Sequence, residues 1–392
     1  MNEISLVAKT SSGLEDLLVN EVIANGGREA RKGIRSVTFK GTEETLYRMN
    51  LNSRVALRIL KPIGSFPANN EEQLYDGIGR INWGKYMSAD DTLAVDAVTV
   101  KSNLTHSLYV ALKTKDAVVD QFRKSHGRRP DVDLNRPTIR INVHLSGNVA
   151  SISLDSSGES LHKRGYRMLQ GEAPLSETLA AGLILLSAWK QDSPLTDIMC
   201  GSGTIVIEAA LMARDIAPGL MRNEFGFQRW LDYDAGLWAN LVKEARGRIK
   251  DKLGFRIAGV DRNRHVIRQA RENSEYAGVD EDIDFHEMKF QDYTPAVSEQ
   301  TLITNPPYGG RITDEDLFDL YKQMGDTFKK RYQGSTAWVL TANRDAAKHI
   351  GLHVSAKIPV FNGPLECRLL KFEMYGGSRK PAKGSTIQNN EP

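Results

Sequence analysis

At 392 residues, with 40% hydrophobic and 26% charged residues, the chain has the composition of an ordinary globular protein and the length for two or three domains. No apolar run approaches the ~18 residues of a membrane span, Met1-Asn2-Glu3-Ile4-Ser5 lacks the regions of a signal peptide, and Cys200 and Cys367 stand outside any metal or disulfide spacing. A membrane anchor, a metal site and a disulfide framework are therefore not expected, a reducing cytoplasm is, and a net charge of +3 does not by itself announce nucleic acid.

Ile4 to Ala8 reads as a strand and Leu14 to Ala24 as a helix with Leu14, Leu17, Leu18 and Val22 on its apolar face. Gly26-Gly27 closes that helix, and Ser36 to Lys40 is the next strand. Thr42 to Met49 gives a second helix and Arg54 to Pro62 a further strand. This succession predicts a small ferredoxin-like module over 1–65, with a change of composition from Ser65 to Asn70 marking its end.

Over 66–160, Leu93 to Val100 reads as a strand and Leu108 to Arg123 as a helix. Thr138 to Leu145 and Val149 to Leu154 form a hairpin across Ser146-Gly147-Asn148. Basic residues gather at Lys101, Arg123, Lys124, Arg128, Arg129, Arg136 and Arg140, with His106 and His126 between them. Such a set is either a solvated, charge-laced surface or a surface for phosphates. Lys163-Arg164-Gly165-Tyr166-Arg167 then joins the two halves, as a plain linker or as a track for a phosphate backbone. No catalytic constellation occurs before residue 160.

The second half opens on Leu195 to Met199, a strand, followed by Asp197-Ile198-Met199-Cys200-Gly201-Ser202-Gly203-Thr204 and a helix to Met212. Glycines between a strand and a helix let backbone N–H groups approach a ligand, and Thr204 is placed to cap the helix. The loop lacks the Gly-Lys-Ser/Thr of a P-loop, and Val206 stands where a NAD site wants its third glycine. Arg256 to Asp261 is a strand ending in a carboxylate suited to a ribose hydroxyl pair. It lies beyond the ~20 residues usual for that partner, so 217–252, with Trp230 and Trp238, reads as an insertion. Ile283 to Met288 is the next strand, and Asp292 beyond it suits an adenine amino group.

Thr301-Leu302-Ile303-Thr304 is a short buried strand halted by Asn305-Pro306-Pro307-Tyr308. Open α/β sheets place their chemistry at the carboxyl ends of strands. Asn305 offers an amide oxygen, Pro306 a carbonyl, Pro307 a rigid backbone and Tyr308 a flat face. That set suits a flipped-out base whose exocyclic amino group is to be methylated, and it does not suit an acid, a nucleophile or a metal. Alone, Asn-Pro is also a common turn opener. The ordered series of glycine loop, Asp261, Asp292 and Asn305, four strand ends on one rim, is what gives it weight.

On these motifs, the chain from Lys163 onward resembles the S-adenosylmethionine-dependent methyltransferases with an N-P-P-Y signature. More narrowly, over about residues 3–377, it is similar to the large-subunit ribosomal RNA guanine-N2 methyltransferases (the RlmL/YpsC-like group). Further matching pieces are Lys163 to Arg167, Ala173-Pro174 through Ala181, and Asn362-Gly363-Pro364-Leu365-Glu366-Cys367. The chain departs from the family at Ile198, where Pro is usual, and at Gly310, where Glu is usual.

The resemblance implies an α/β architecture. A ferredoxin-like module (1–65) and an RNA-binding THUMP domain (66–160) precede a Rossmann-like methyltransferase domain (165–377), while the polar composition from Gly376, rich in Gly, Ser, Asn and Lys, predicts a disordered tail at 378–392. S-adenosylmethionine would be held by Asp197, Cys200, Gly201, Ser202, Gly203, Thr204, Asp261 and Asp292. RNA, most naturally large-subunit rRNA, would be held by Lys101, Arg128, Arg129, Lys163, Arg164 and Arg167. A tRNA guanine-N2 methyltransferase and a non-catalytic RNA-binding assembly factor are the alternatives. The N-P-P-Y motif itself grips any planar amino group, so adenine N6 and cytosine N4 stay open to it.

Overall fold

Two mixed sheets carry the chain in a computed structural model that describes residues 3–167, 175–309 and 313–375. Ala173, Pro174, Gly310 and the tail from Gly376, all singled out in the sequence, lie outside those residues.

The front sheet contains β1 (Ile4–Lys9), β2 (Arg28–Gly33), β3 (Ser36–Gly41), β4 (Arg58–Pro67), β5 (Thr92–Val100), β6 (Asp131–Val132), β7 (Ile139–Ser146) and β8 (Val149–Asp155). Their order is β2-β3-β1-β4-β8-β7-β5-β6, packed by helices α1 (Glu15–Ala24), α2 (Glu43–Asn52), α3 (Glu71–Gly79) and α4 (Ser107–His126). The stretch from Ser65 to Asn70 coincides with the end of β4, which pairs with β1 on one side and β8 on the other. The ferredoxin-like strands and the strands after residue 66 thus share one continuous sheet. The register of β4 shifts between Pro62 and Gly64, where proline has no N–H to give the ladder.

Two elements of this half have little signature in the sequence. In β2 every residue except Ala30 is exposed, a charged edge strand without alternation. In α3 only Leu74, Gly77 and Ile78 are buried; it is started by Asn70, whose side chain accepts from the Gln73 N–H at 2.9 Å.

The second sheet contains β9 (Leu195–Asp197), β10 (Ile257–Asp261), β11 (Ile283–Glu287), β12 (Thr301–Thr304), β13 (Thr336–Thr341), β14 (Val354–Asn362) and β15 (Leu365–Glu373). Their order is β11-β10-β9-β12-β13-β15-β14, parallel from β9 to β13 and antiparallel at β15 and β14. Its helices are α5 (Glu177–Leu186), α6 (Thr204–Ala213), α7 (Ala235–Gly247), α8 (Arg264–Ala277), α9 (Asp314–Arg331) and α10 (Arg344–Lys348).

Strand alternation decides which cluster each side chain joins. Ile257, Phe285, Ile303, Trp338 and Leu340 meet the cluster containing α6 and α8. Ala258, Val260, Leu302, Ala337 and Val339 meet the one containing Leu317, Tyr321 and Met324 of α9. Chain order runs outward from β9 to β10 and β11, then returns to β12 on the other side. The topological switch point therefore falls between β9 and β12.

The 217–252 insertion does more than lengthen the chain. Phe225, Phe227, Tyr233 and Trp238 form an aromatic cluster with Tyr47 of α2, whose ring stacks on Phe227 at 4.3 Å. Arg48 makes two hydrogen bonds to Glu244, and Lys61 pairs with Asp232. At Gly182 of α5 a Cβ would stand 2.7 Å from the Leu14 side chain, so bare glycine lets the first module dock this closely.

Candidate active site

At the switch point a cavity of about 590 Å³ opens, and its walls come from the ends of four parallel strands. Ile198, Met199 and Gly201 follow β9, Asp261 to Asn263 end β10, and Lys289 to Gln291 follow β11. Asn305 and Pro307 follow β12, and Leu320 and Gln323 of α9 close the far side.

The glycine loop is shaped by its backbone. Gly201 and Gly203 have φ of 53° and 84°, the left-handed region that glycine adopts without strain. The Cys200 N–H donates to the Val260 carbonyl and the Gly203 N–H to the Cys200 carbonyl. Asn273 of α8 donates to the Ser202 carbonyl at 3.1 Å. Nothing lies within 4 Å of where a Gly201 Cβ would stand, so the loop presents bare backbone to open space.

Asp261 locks that loop to its strand. One carboxylate oxygen accepts from the Gly201 N–H at 3.2 Å and the other from the Asn263 N–H at 2.9 Å. Each oxygen keeps lone-pair capacity for a further donor.

Asp197 and Thr204 take positions other than those expected. The Asp197 side chain is buried outside the cavity lining, where it accepts from the Thr304 hydroxyl at 2.7 Å and the Met199 N–H at 3.1 Å. It ties the end of β9 to the residue before Asn305. Burial is the main cause that pushes its carboxyl up to about 7, and the charge of Asp261 adds to it. Gly203, not Thr204, is the N-cap of α6; the Thr204 hydroxyl instead accepts from Arg167 Nη2 at 2.8 Å. Burial also pushes the Cys200 thiol well up, so it serves as packing rather than as a nucleophile. Asp292 is exposed and is not among the lining residues, where Phe290 and Gln291 stand instead.

Within N-P-P-Y, Asn305 Oδ1 is buried and has no hydrogen-bond partner among the described residues, although the residue lines the cavity. Buried acceptors of this kind are rare because an unmade bond there costs ~1–3 kcal/mol. Pro306 is buried and Pro307 forms part of the wall. Tyr308 is partly buried, and its hydroxyl accepts from Asn362 Nδ2 at 2.7 Å. Asn362 ends β14 and begins the turn to β15, so the Asn-Gly-Pro-Leu-Glu-Cys piece anchors Tyr308.

Sequence reasoning missed Thr304, Asn263, Lys289, Gln291 and Gln323. Only the first two had a readable signal: Thr304 directly precedes Asn305, and Asn263 is an N-cap residue type standing just before α8.

The basic residues divide. Lys101, Arg128, Arg129 and Lys163 are exposed, with Arg128 paired to Asp90 and Lys163 to Glu159. Arg164 and Arg167 correct the expectation of a surface track. The Arg164 side chain is 1% exposed and donates to the Leu161, Ser53 and Arg54 carbonyls, 3.6 Å from buried Glu208. Arg167 turns inward to Thr204, the Leu175 carbonyl and Glu177.

A family profile described as "RMKL-like, methyltransferase domain" matches residues 164–371, more than half of the chain. The chain belongs to this methyltransferase family. A THUMP domain profile matches 68–155 and an RlmL ferredoxin-like domain profile matches 5–60. The Synechocystis sp. protein slr0064 is 42% identical over 369 residues, covering 94% of this chain and 96% of its own. The "Ribosomal RNA large subunit methyltransferase K/L" of Syntrophotalea carbinolica is 43% identical over 382 residues, covering 95% of this chain and 54% of its own. The chain therefore spans about half the length of the K/L relatives it matches. The crystal structure of SMU.472 complexed with SAH superposes with a TM-score of 0.87 at 32% identity, covering 96% of this chain and all of that one. The ferredoxin-like, THUMP and methyltransferase order expected from the sequence stands. Among the described residues, no helix is long and apolar enough to cross a membrane.

Proposed function

We propose that this methyltransferase uses S-adenosylmethionine to methylate the exocyclic N2 of a guanine in large-subunit rRNA. The observation that carries the reading is Asn305 Oδ1, a buried acceptor with no partner among the described residues on the wall of a cavity at the switch point. An amino group is a poor nucleophile while its lone pair is delocalised into the ring. Asn305 Oδ1 and the Pro306 carbonyl accept its two hydrogens and turn the lone pair out of conjugation. Pro306 and Pro307 hold those acceptors still, while Tyr308, fixed through Asn362, supplies a ring face for the extruded base. No general base is required for the attack, because the methylated nitrogen, made strongly acidic by its positive charge, sheds its extra proton to water. Orientation of this kind lowers barriers by roughly 7–11 kcal/mol.

The cavity fits the cofactor. Gly201 exposes backbone without a side chain in the way, and Gly201 to Gly203 would face the methionine end. Asp261 has acceptor capacity for the ribose hydroxyls. Phe290 and Gln291, rather than the more exposed Asp292, line the wall where the adenine would sit. When bound, S-adenosylmethionine supplies an activated methyl group on a sulfonium. The choice of guanine rests on the family resemblance of the whole chain, since the N-P-P-Y acceptors take any planar amino group. The choice of rRNA over tRNA is supported by the names of the K/L relatives.

The test is nucleoside mass spectrometry of rRNA and tRNA from a strain lacking the gene, complemented with wild type or Asn305→Ala. One N2-methylguanosine should vanish from large-subunit rRNA and return only with wild type. Loss of a tRNA mark instead, or of none, overturns the substrate assignment.

A further inference from the structure

A second cavity, of about 640 Å³, lies where the front sheet, the connector and the insertion meet. Arg136 comes from the approach to β7 and Arg140 from β7 itself, residues between 157 and 167 from the connector, Ser176 and Glu177 from the head of α5, and residues between 221 and 229 from the insertion. Seven Lys and Arg line it against three Glu.

We infer that this cleft is a binding site for the phosphodiester backbone of RNA, engaging adjacent phosphates; the inference rests on the RNA substrate proposed above and extends it to a second surface.

The cations form two tiers. The floor is fixed: Arg164 is buried against three backbone carbonyls and ion-paired to buried Glu208, so it braces the cleft rather than offering free charge. Arg222 donates to the carbonyls of Ser157, Glu159, Ser160 and Lys163, with no carboxylate paired to it among the described residues. Its carbonyl ligands hold the Arg222 guanidinium in place without cancelling its charge. His162, between these groups, reports the resulting field. Burial first, then the charges of Lys163, Arg164, Arg167 and Arg222, hold its imidazole below the ordinary range.

The upper tier is exchangeable. Arg136 and Arg229 share the single carboxylate of Glu224, at 2.7 and 2.6 Å, one negative charge against two positive. Arg136 is 72% exposed, and Lys163 makes a surface pair with Glu159. Pairs of that kind are worth little in water, so a phosphate can displace the carboxylate with small loss.

The location matches the task. Arg136 belongs to the segment matched by the THUMP profile, whereas Arg167, lining the same cleft, binds Thr204 at the head of the helix that leaves the glycine loop. A strand seated here touches both domains.

The test uses the full-length protein, oligouridylate and inorganic diphosphate, with binding followed across a salt titration. Oligouridylate has no guanine, so the result is independent of whether methyl transfer is correctly assigned; cofactor affinity is measured separately. The double variant Arg136→Glu/Lys163→Glu should bind oligouridylate about tenfold more weakly, with a salt slope reduced by about 1.4 for two lost single-strand contacts. Arg136→Lys/Lys163→Arg should bind like wild type. Glu224→Gln, which frees two guanidiniums, should bind more tightly and with a steeper slope. A Glu224 that merely braces the fold would instead give a lower Tm and no gain in binding, and this refutes the site even if the double variant proves unstable. Unchanged affinity and slope in a folded double variant would also overturn it. Diphosphate binding as tight as oligouridylate would replace the backbone assignment with a free polyphosphate site.

Discussion

Replacing Asn305 by alanine should move stability and turnover apart. In the free protein Oδ1 is buried with no partner among the described residues, so deleting it removes a group whose unmade bond costs about 1–3 kcal/mol. Asn305→Ala should therefore keep its Tm or raise it slightly, less whatever packing the side chain provides. With the base in place the same atom accepts from the amine as the lone pair rotates. Losing one oriented acceptor in a dry site should cost about 10²–10³ in rate, or ~2.7–4 kcal/mol, by analogy with oxyanion-hole donors. Asn305→Asp keeps an acceptor but adds charge, and should retain more activity than alanine. The assay is single-turnover methyl transfer on rRNA, with cofactor and RNA affinities measured on the same preparations. A turn-only Asn305 predicts a lower Tm with wild-type turnover, and that result would refute the mechanism.

Asp261→Ala should weaken S-adenosylmethionine binding and also loosen the glycine loop, because its carboxylate holds the Gly201 and Asn263 N–H groups; calorimetry with equal affinity would show the acidic strand end to be misassigned. Arg164→Met should destabilise the protein by about 3–5 kcal/mol by stranding Glu208 in the core, and the double Arg164→Met/Glu208→Met should recover part of this in denaturant titrations. Asp197 is held near 7 in the folded protein against the 3.8 of a free carboxyl, so the native state keeps a proton that the unfolded chain releases. Stability from this group should fall as pH rises from about 4 to about 7, and Asp197→Asn should abolish that slope; an identical pH dependence in both proteins counts against the burial argument.

Where the sequence was legible, a single period or a single breaker decided the structure. Ile303 and Leu302 alternate between two cores, and prolines end β12 at Asn305. Where it was not, the deciding partner lay far along the chain. β2 has no apolar face and exists only as an edge bonded to β3. α3 buries three residues against α4 and the end of β4, and neither contact leaves a local mark. Charge misled most at the connector. Lys163-Arg164-Gly165-Tyr166-Arg167 looks like one basic run, yet its charges point in different directions, because Gly165, at φ 112°, turns the backbone against the Met221 carbonyl.

The site shows the same division at higher stakes. Glycine loop, Asp261 and Asn305 were readable because each is a strand end, and parallel strands bring their ends together whatever fills the sheet between them. Asp197 was readable as important but not in its role: only the register of β9 beside β12 shows that it faces Thr304 rather than the cavity. That register gives Asp197 a consequence for chemistry without contact to the substrate. It pins the last residue of β12, and the next residue is Asn305. A relaxed Asp197–Thr304 bond would let the Asn305 acceptor drift, and effective molarity is lost over displacements as small as ~1 Å. The buried carboxyl and the Asn305 amide oxygen are therefore two ends of one device, the first bearing its cost in stability and the second expressing it in rate.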